Sequence, residues 1–245
     1  MKWREQDGLR WLEAELPRAR AGFSTRLGGV SAPPYDTLNV AVLTGDSRDD
    51  VRRNRHLLAG ALGIDPGDVL IGRQVHGAEL EHRDSPPTPN AFADPGPELP
   101  DVDAQATATP GLAPLVMVAD CLPVAVSGPG GVAMLHCGWR GLAAGVIERG
   151  VREVHAEAAA IGPGIGPCHY EVGDEVLEAF STLGDGIADG RMLDLREVAR
   201  RMLDAAGVGR VEVSELCTSC EPELFFSHRR DNGVTGRQAG VIWRT

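Results

Sequence analysis

The chain has 245 residues, enough to bury one large core, and it carries 24 Lys and Arg against 35 Asp and Glu, a formal charge of −11. An acidic chain with no basic tail does not match the phosphate backbone of nucleic acid, so no nucleic-acid partner is expected, although a local arginine cluster can still take a small anion. Five cysteines, an odd and sparse set, argue against a secreted disulfide scaffold and leave thiols for metal or catalysis.

The first segment, MKWREQDGLRWLEAELPRAR, lacks the continuous apolar stretch of a signal peptide, and no later run reaches the length of a membrane span. The longest candidate, LAPLVMVADCLPVAVSG, is interrupted by Asp120, Cys121 and Pro123. A soluble cytoplasmic protein with no membrane partner is expected. FSTRLGGVSAPPYDTLN then places Arg26 near Gly28 and Gly29 without the lysine of a P-loop, which gives no support to nucleoside triphosphate binding. A short helix is expected over DDVRRNRHLLAGALG.

Next, DVLIGRQVHG reads as a strand that ends in His76 and Gly77. Between Asp84 and Asp101 stand Pro86, Pro87, Pro89, Pro95, Pro97 and Pro100, a density that continues neither a helix nor a central strand. That stretch reads as a surface loop within one domain, not a linker. Three strand-length runs follow: LAPLVMVADC, LPVAVSG and GVAMLHCG. After Gly141, Leu142, Val146, Ile147, Val151, Val154 and Ala158 recur at helical spacing, with Glu148–Arg152 and Arg149–Glu153 as i,i+4 pairs on the other face. IGPGIGPCHYEVG is a rigid Gly-Pro loop in which Cys168 and His169 read as packing. A short helix covers EVLEAFSTLG. LDLREVARRMLDAAG is an amphipathic helix with Leu195, Val198, Ala199, Met202 and Leu203 on one side and Gly207 as its stop. Strands mixed with helices point to a single α/β or α+β domain, residues 1–245, built on a mixed sheet.

Three of the strand-like runs finish on a soft or borderline metal ligand: His76, Cys121 and His136. Ligand sites of sheet proteins gather at strand ends. A His₂Cys set suits zinc and leaves a fourth position for water or substrate, the arrangement of catalytic zinc, which lowers the pKa of water toward ~7. The bland alternative is three isolated buried side chains; their shared strand-end placement beside Gly or Pro favours a site. In AMLHCGWRG, Gly138 and Gly141 allow a sharp turn, the following helix turns its positive end toward His136, and Arg140 offers a forked donor. Trp139 is assigned to the core.

Cys217 and Cys220 form a C-x-x-C without a second such pair, so they read as two structural thiols in a turn, not as a zinc half-site. Arg229, Arg230 and Arg237 stand close together around Gly233 and Gly236; a solvated charge run is the default and an anion site the sharper reading.

Taken together, FSTRLGGVS, Asn54–Arg55, RQVHG, ADCLPV, HCGWRG, IGPGIGPCHYEVG and CTSCEPELFFSHRRDNGVTGRQAG resemble the laccase-domain family, also called multicopper polyphenol oxidase-like, a family associated with purine nucleoside phosphorylase activity. The blocks run from about Phe23 to Val241. The resemblance implies a layered α-β-β-α fold with mixed sheets, related to the deamidase domain of the cytotoxic necrotizing factors. It implies zinc, with copper as a competitor, on His76, Cys121 and His136. It also implies phosphorolysis of adenosine, inosine and methylthioadenosine, with adenosine deamination alongside. The expected partners are a purine nucleoside and phosphate, contacted by Arg26, Asn39, Arg140 and Arg229, in a monomer or homodimer. This chain departs from the family pattern at Cys137 (usually alanine), His228 (commonly tyrosine) and Gln238 (commonly methionine), and Cys137 raises the prospect of competition for the metal. Laccase chemistry as the main activity is discounted, because a trinuclear copper cluster needs His-x-His pairs and no two of the seven histidines are two apart. Two further classes stay open: a metal-free hydrolase or deamidase with Cys121 as nucleophile and His136 or His76 as base, and a non-catalytic nucleoside-binding module.

Overall fold

The structure is a computed structural model that describes residues 1–96 and 98–245. Pro97, one of the prolines of the expected surface loop, lies outside the described residues.

In chain order the elements are β1 (Lys2–Gln6), β2 (Leu9–Leu16), β3 (Ala19–Ser24), α1 (Arg48–Leu62), β4 (Val69–Leu70), β5 (Leu80–His82), β6 (Ala104–Thr107), β7 (Ala113–Val118), β8 (Leu122–Gly128) and β9 (Gly131–Cys137). There follow α2 (Trp139–Ala143), α3 (Val146–Val154), β10 (Ala158–Ile161), α4 (Asp174–Ala179), β11 (Ala188–Asp189), β12 (Met192–Leu193), α5 (Leu195–Ala205), β13 (Arg210–Val213) and β14 (Gln238–Arg244). The strands make two six-stranded mixed sheets, ordered β1-β2-β3-β14-β7-β4 and β13-β10-β8-β9-β6-β5, with β11-β12 a separate hairpin. Most neighbours are antiparallel; β4 with β7, β5 with β6 and β10 with β13 are parallel.

Period-2 alternation explains the layers. From the first sheet, Leu12, Ala14, Phe23, Val116 and Val118 face Ala125, Val132, Met134, Ala158 and Ala160 of the second. On the outer side of the second sheet, Val124, Val126, Ala133 and Leu135 pack under α3 and α5. On the outer side of the first, Leu115 and Val241 pack under Leu58 and Ala59 of α1. Both faces of the central strands are therefore apolar, which is why LPVAVSG is an uninterrupted buried run. Each large apolar chain fully buried in these layers contributes roughly 1.5–3 kcal/mol. The architecture is α-β-β-α.

The helices are set by their ends. The Asp194 carboxylate accepts from the amides of Arg196 and Glu197 to start α5, and the Ser47 side chain caps α1. The single helix expected after Gly141 is two, because Gly145 at φ 87° breaks α2 from α3, and Ala158 belongs to β10, not to that helix. The DVLIGRQVHG strand is corrected as well: β4 ends at Leu70, an isolated bridge of Arg73 with Asp101 follows, and His76 lies in the loop beyond, at φ 62°. The strands β1 to β3 at the N-terminus, and β14 at the end, complete the first sheet. Among the described residues no helix is long and apolar enough to cross a membrane.

Candidate functional site

The chain crosses from the first sheet to the second between β7 and β8, and the crossing residues are Ala119, Asp120 and Cys121. Asp120 makes the corner at φ 86°. Its carboxylate accepts the Thr218 hydroxyl at 2.6 Å and the Arg229 amide at 2.6 Å, and its carbonyl accepts the Ile165 amide at 2.8 Å. Cys121 is thereby fixed beside the end of β9, where Pro123 is paired with His136 and Leu122 with Cys137.

Alternation along β9 decides which of its polar residues reaches the site. His136 points with Val132 and Met134 toward the space between the sheets, while Cys137 points with Leu135 into the apolar layer under the helices. Cys137 is fully buried there, and burial, reinforced by the negative charge of Cys121, pushes its thiol well above the ordinary value. It is not in the cluster formed by His136, so the anticipated competition for metal is absent among the described residues.

His76 arrives from the other direction, and two side chains bring it there. Gln74 hydrogen-bonds both main-chain groups of Met117, its Nε2 donating to the carbonyl at 2.7 Å and its Oε1 accepting the amide at 2.8 Å. The glutamine amide thus takes the place of a neighbouring strand beyond the short β4. Asp103, wholly buried, accepts the backbone amides of Val75, His76 and Gly77 at 3.1, 2.9 and 2.7 Å. The same carboxylate takes the Nδ1 of His136 at 2.7 Å. Burial opposes the charge on Asp103, but the His136 bond and the Gly77 and Val75 amides outweigh it and hold the carboxyl below its usual value.

As a result the ligand atoms of His76, Cys121 and His136 all lie within 4.8 Å of one another. The two imidazoles meet edge-on, with centroids 4.8 Å apart at 69°. Gly138 leaves room for this approach: a Cβ there would lie 3.0 Å from Cys121 Sγ and 3.2 Å from His76 Cδ2, so both ligand side chains would have to give way. In the metal-free chain, burial disfavours charge on both groups, yet Cys121 and His136 stabilise each other as thiolate and imidazolium. The thiol falls to about 6 and the imidazole rises to about 9, the Asp103 bond adding to the latter. With His136 Nδ1 engaged by Asp103, its Nε2 is the ring nitrogen left for a metal, an orientation typical of metal-ligating histidines. Two imidazoles and a thiolate suit Zn²⁺, and three protein ligands leave a coordination position open.

The cluster lies at the wall of a cavity of about 940 Å³. Met117, Tyr170, His228, Arg229 and Arg237 also line it, and Leu43, 86% exposed, stands at its rim. Arg229 stacks over Tyr170 at 5.4 Å and donates to the carbonyls of Glu171 and His169. Arg237 donates to the carbonyls of Thr235 and Gly236. Burial pulls its guanidinium below the ordinary value, against the charges of Cys121 and Asp120. Among the described residues neither arginine is paired with a carboxylate at salt-bridge distance, whereas the rim residue Arg73 is held by Asp101. Burial, with the Cys121 charge adding to it, pushes the Tyr170 phenol up to about 12, so it stays protonated at neutral pH.

Of the other expected contacts, Arg229 is in the cavity while Arg26, Asn39 and Arg140 are outside its lining. Arg26 donates to the carbonyls of Asp36 and Pro222, pairs with the Asp36 carboxylate and stacks on Phe226. Asn39, wholly buried, donates to Ala41, Thr44 and Asp46, and its Oδ1 accepts the Arg237 amide, so it positions Arg237. Arg140 is exposed and lies over Trp139. Gln238 does not enter the cavity either: its amide pairs with both main-chain groups of Phe226. Asp103, Gln74 and Tyr170 are the site residues that the sequence reading missed. Only Gln74 carried a signal, its place two residues before His76.

A second group of soft ligands lies outside the cavity. Cys217 and Cys220 are joined by Cys168 and His169, all four ligand atoms within 4.8 Å of one another. The reading of Cys217 and Cys220 as a pair without complement is therefore corrected. The complement comes from an adjacent Cys-His, not from a second C-x-x-C.

The model of the family described as multi-copper polyphenol oxidoreductase laccase matches residues 20–245. The chain is 38% identical to purine nucleoside phosphorylase YlmD of Geobacillus stearothermophilus, over 98% of this chain and 96% of that protein. It is 40% identical to purine nucleoside phosphorylase YfiH of Escherichia coli K12, over 90% and 91%. The solved structure of the Geobacillus YlmD superposes with a TM-score of 0.89, covering 98% of this chain and 97% of that one at 37% identity. That of a Bacillus licheniformis hypothetical protein YfiH superposes with 0.86, covering 99% of each at 32% identity. With a match of this extent laid over a common α-β-β-α frame, the chain belongs to the multi-copper polyphenol oxidoreductase laccase family.

Proposed function

We propose that this chain, acting as one domain over residues 1–245, is a zinc-dependent purine nucleoside phosphorylase that also deaminates adenosine. The observation that carries the reading is a cavity with three convergent metal ligands at its wall and two arginines lacking carboxylate partners beside them. A volume of about 940 Å³ accommodates a nucleoside and phosphate together. The names of the relatives, purine nucleoside phosphorylase, support the phosphorylase part of the reading.

In phosphorolysis a phosphate oxygen bonds to C1′ while the C1′–N9 bond breaks and its electron pair leaves with the purine, which then needs a proton. Arg229 and Arg237 hold the phosphate, because each offers guanidinium N–H groups that, among the described residues, no carboxylate takes at salt-bridge distance, and the Asp120 carboxylate that shares the cavity wall is engaged by the Thr218 hydroxyl and the Arg229 amide. Asn39 fixes the backbone of Arg237 and Asp120 that of Arg229, so both donors are set before substrate arrives. Tyr170, kept protonated, and His228 face the same space and can supply the proton to the departing base. His76, Cys121 and His136 would hold zinc, which when bound would supply Lewis-acid activation of water or of a substrate atom at neutral pH. Adenosine, inosine and methylthioadenosine are the proposed substrates, with water replacing the C6 amino group of adenosine in the deamination.

A metal-free reading has one observation in its favour: Asp103, His136 and Cys121 stand as orienting acid, base and thiolate. With His136 oriented by Asp103 as the base, it leaves His76 only as a hydrogen-bond partner of the Cys121 sulfur, and zinc is preferred because it uses all three convergent side chains as ligands. Copper also favours such ligands and outcompetes zinc for most of them. The deciding experiment is anaerobic incubation of protein of known zinc and copper content with adenosine, with and without phosphate, followed by chromatography. Adenine and ribose 1-phosphate formed only with phosphate, and inosine formed in either case, are expected from zinc-loaded protein. Nucleoside binding with no released base or ammonia overturns the reading.

A further inference from the structure

Cys168 and His169 stand in the loop after β10, and Cys217 and Cys220 in the loop after β13. β10 and β13 are parallel neighbours, so both loops leave the same end of the sheet side by side. The backbone keeps them together: Gly164 bridges Cys217, the Thr218 amide donates to the Gly164 carbonyl at 3.0 Å, and the Gly166 amide donates to Cys217 Sγ at 3.2 Å.

Four donor atoms converge there. Cys168 Sγ is 3.3 Å from Cys220 Sγ, and His169 Nδ1 is 3.3 Å from Cys168 Sγ, 3.4 Å from Cys220 Sγ and 4.0 Å from Cys217 Sγ. A tetrahedron with Zn–S near 2.3 Å and Zn–N near 2.0–2.1 Å has edges of about 3.5–3.8 Å. The observed separations bracket those edges. The Cys168–Cys220 distance is far longer than the ~2.05 Å of a disulfide bond.

We propose that Cys168, His169, Cys217 and Cys220 form a second metal centre, a closed Cys₃His site for a structural zinc ion. Four protein ligands leave no open position, in contrast to the His76–Cys121–His136 cluster. The site clips together the two loops that build the far wall of the cavity. Arg229 is held by the carbonyls of His169 and Glu171, Tyr170 follows His169 directly, and Thr218, next to Cys217, donates to Asp120 beside Cys121. A metal here fixes the placement of Tyr170 and Arg229 without touching substrate.

The test is metal stoichiometry in protein purified without chelator, saturated with zinc and freed of excess by gel filtration. Two zinc ions per chain are expected for the wild type, one for the Cys168→Ser/Cys220→Ser double variant and one for His76→Ala. The cobalt-loaded wild type should show strong thiolate-to-cobalt absorption that falls by more than half in the double variant, whereas His76→Ala retains most of it. None of these readouts requires nucleoside turnover. A wild type that saturates at one zinc, a double variant that still takes two, or a Cys168–Cys220 disulfide in peptide maps of zinc-saturated protein would each overturn the proposal. If the double variant does not fold, the wild-type count and cobalt spectrum decide alone.

Discussion

The Nδ1 atom of His136 and the Oδ1 atom of Asp103 are 2.7 Å apart, both side chains almost completely shielded from water. Since the same carboxylate accepts the amides of residues 75 to 77, one buried acid sets the ring of one metal ligand and the backbone of another. Asp103→Asn keeps the size but removes the charge and half the acceptors. Loss of the hydrogen-bond partner that orients a metal-ligating histidine lowers metal affinity about 10–100-fold. A chelator competition titration should show that drop, with a stability loss of about 1–3 kcal/mol in denaturant melts. Wild-type metal affinity in Asp103→Asn would contradict the assignment.

Gly138 offers a separate probe. The methyl group of Gly138→Ala would press on Cys121 Sγ and His76 Cδ2 at 3.0 and 3.2 Å. The expected outcome is a folded protein, by circular dichroism, that binds less than half the wild-type amount of metal at this cluster. Full occupancy in the variant would show that the ligands have more room than the structure gives them.

The Cys121–His136 ion pair predicts a pH window for chelator-stripped protein. The thiol titrates at about 6, below its ordinary value, so the thiolate persists at neutral pH and is lost as pH falls through about 6; the imidazolium persists until pH rises through about 9. Alkylation of Cys121 by iodoacetamide should therefore remain fast at pH 7 and decline with a midpoint near 6, and zinc should protect the thiol. A midpoint above 8 would mean that the pair is not formed.

Arg237 and Arg26 separate binding from scaffolding. Arg237→Ala removes a cavity guanidinium with no carboxylate partner, and a rise of at least tenfold in the KM for phosphate is expected. Arg26→Ala removes bonds to Asp36 and Pro222 and the stack on Phe226, which should appear as a stability loss of about 1–3 kcal/mol in thermal or denaturant unfolding. Phosphate steady-state kinetics for Arg237→Ala indistinguishable from wild type would remove it from the site.

The sequence carried the two ligands at the ends of long, both-faces-buried strands, Cys121 after β7 and His136 at the end of β9, because such runs are continuous and stop abruptly. It misplaced His76, since the Gln74 side chain imitates a strand where the strand has ended. Asp103 left no trace: it lies in VDAQ just after the proline-rich loop, and its partners are backbone amides that no spacing reveals. β10, an AAAI segment, has a single β-branched residue, Ile161, and no aromatic one, and is a strand because it is walled between β8 and β13. Cys168 and Cys217 come together only through the parallel pairing of β10 with β13, so a short-range count of cysteines passed over them.

The most direct test of the central claim is His76→Ala, measured for metal at the cavity cluster and for phosphate-dependent release of purine in the same preparation. The account predicts that both are lost together while the fold is kept. Wild-type turnover from a variant shown to carry no metal at Cys121 and His136 would contradict it.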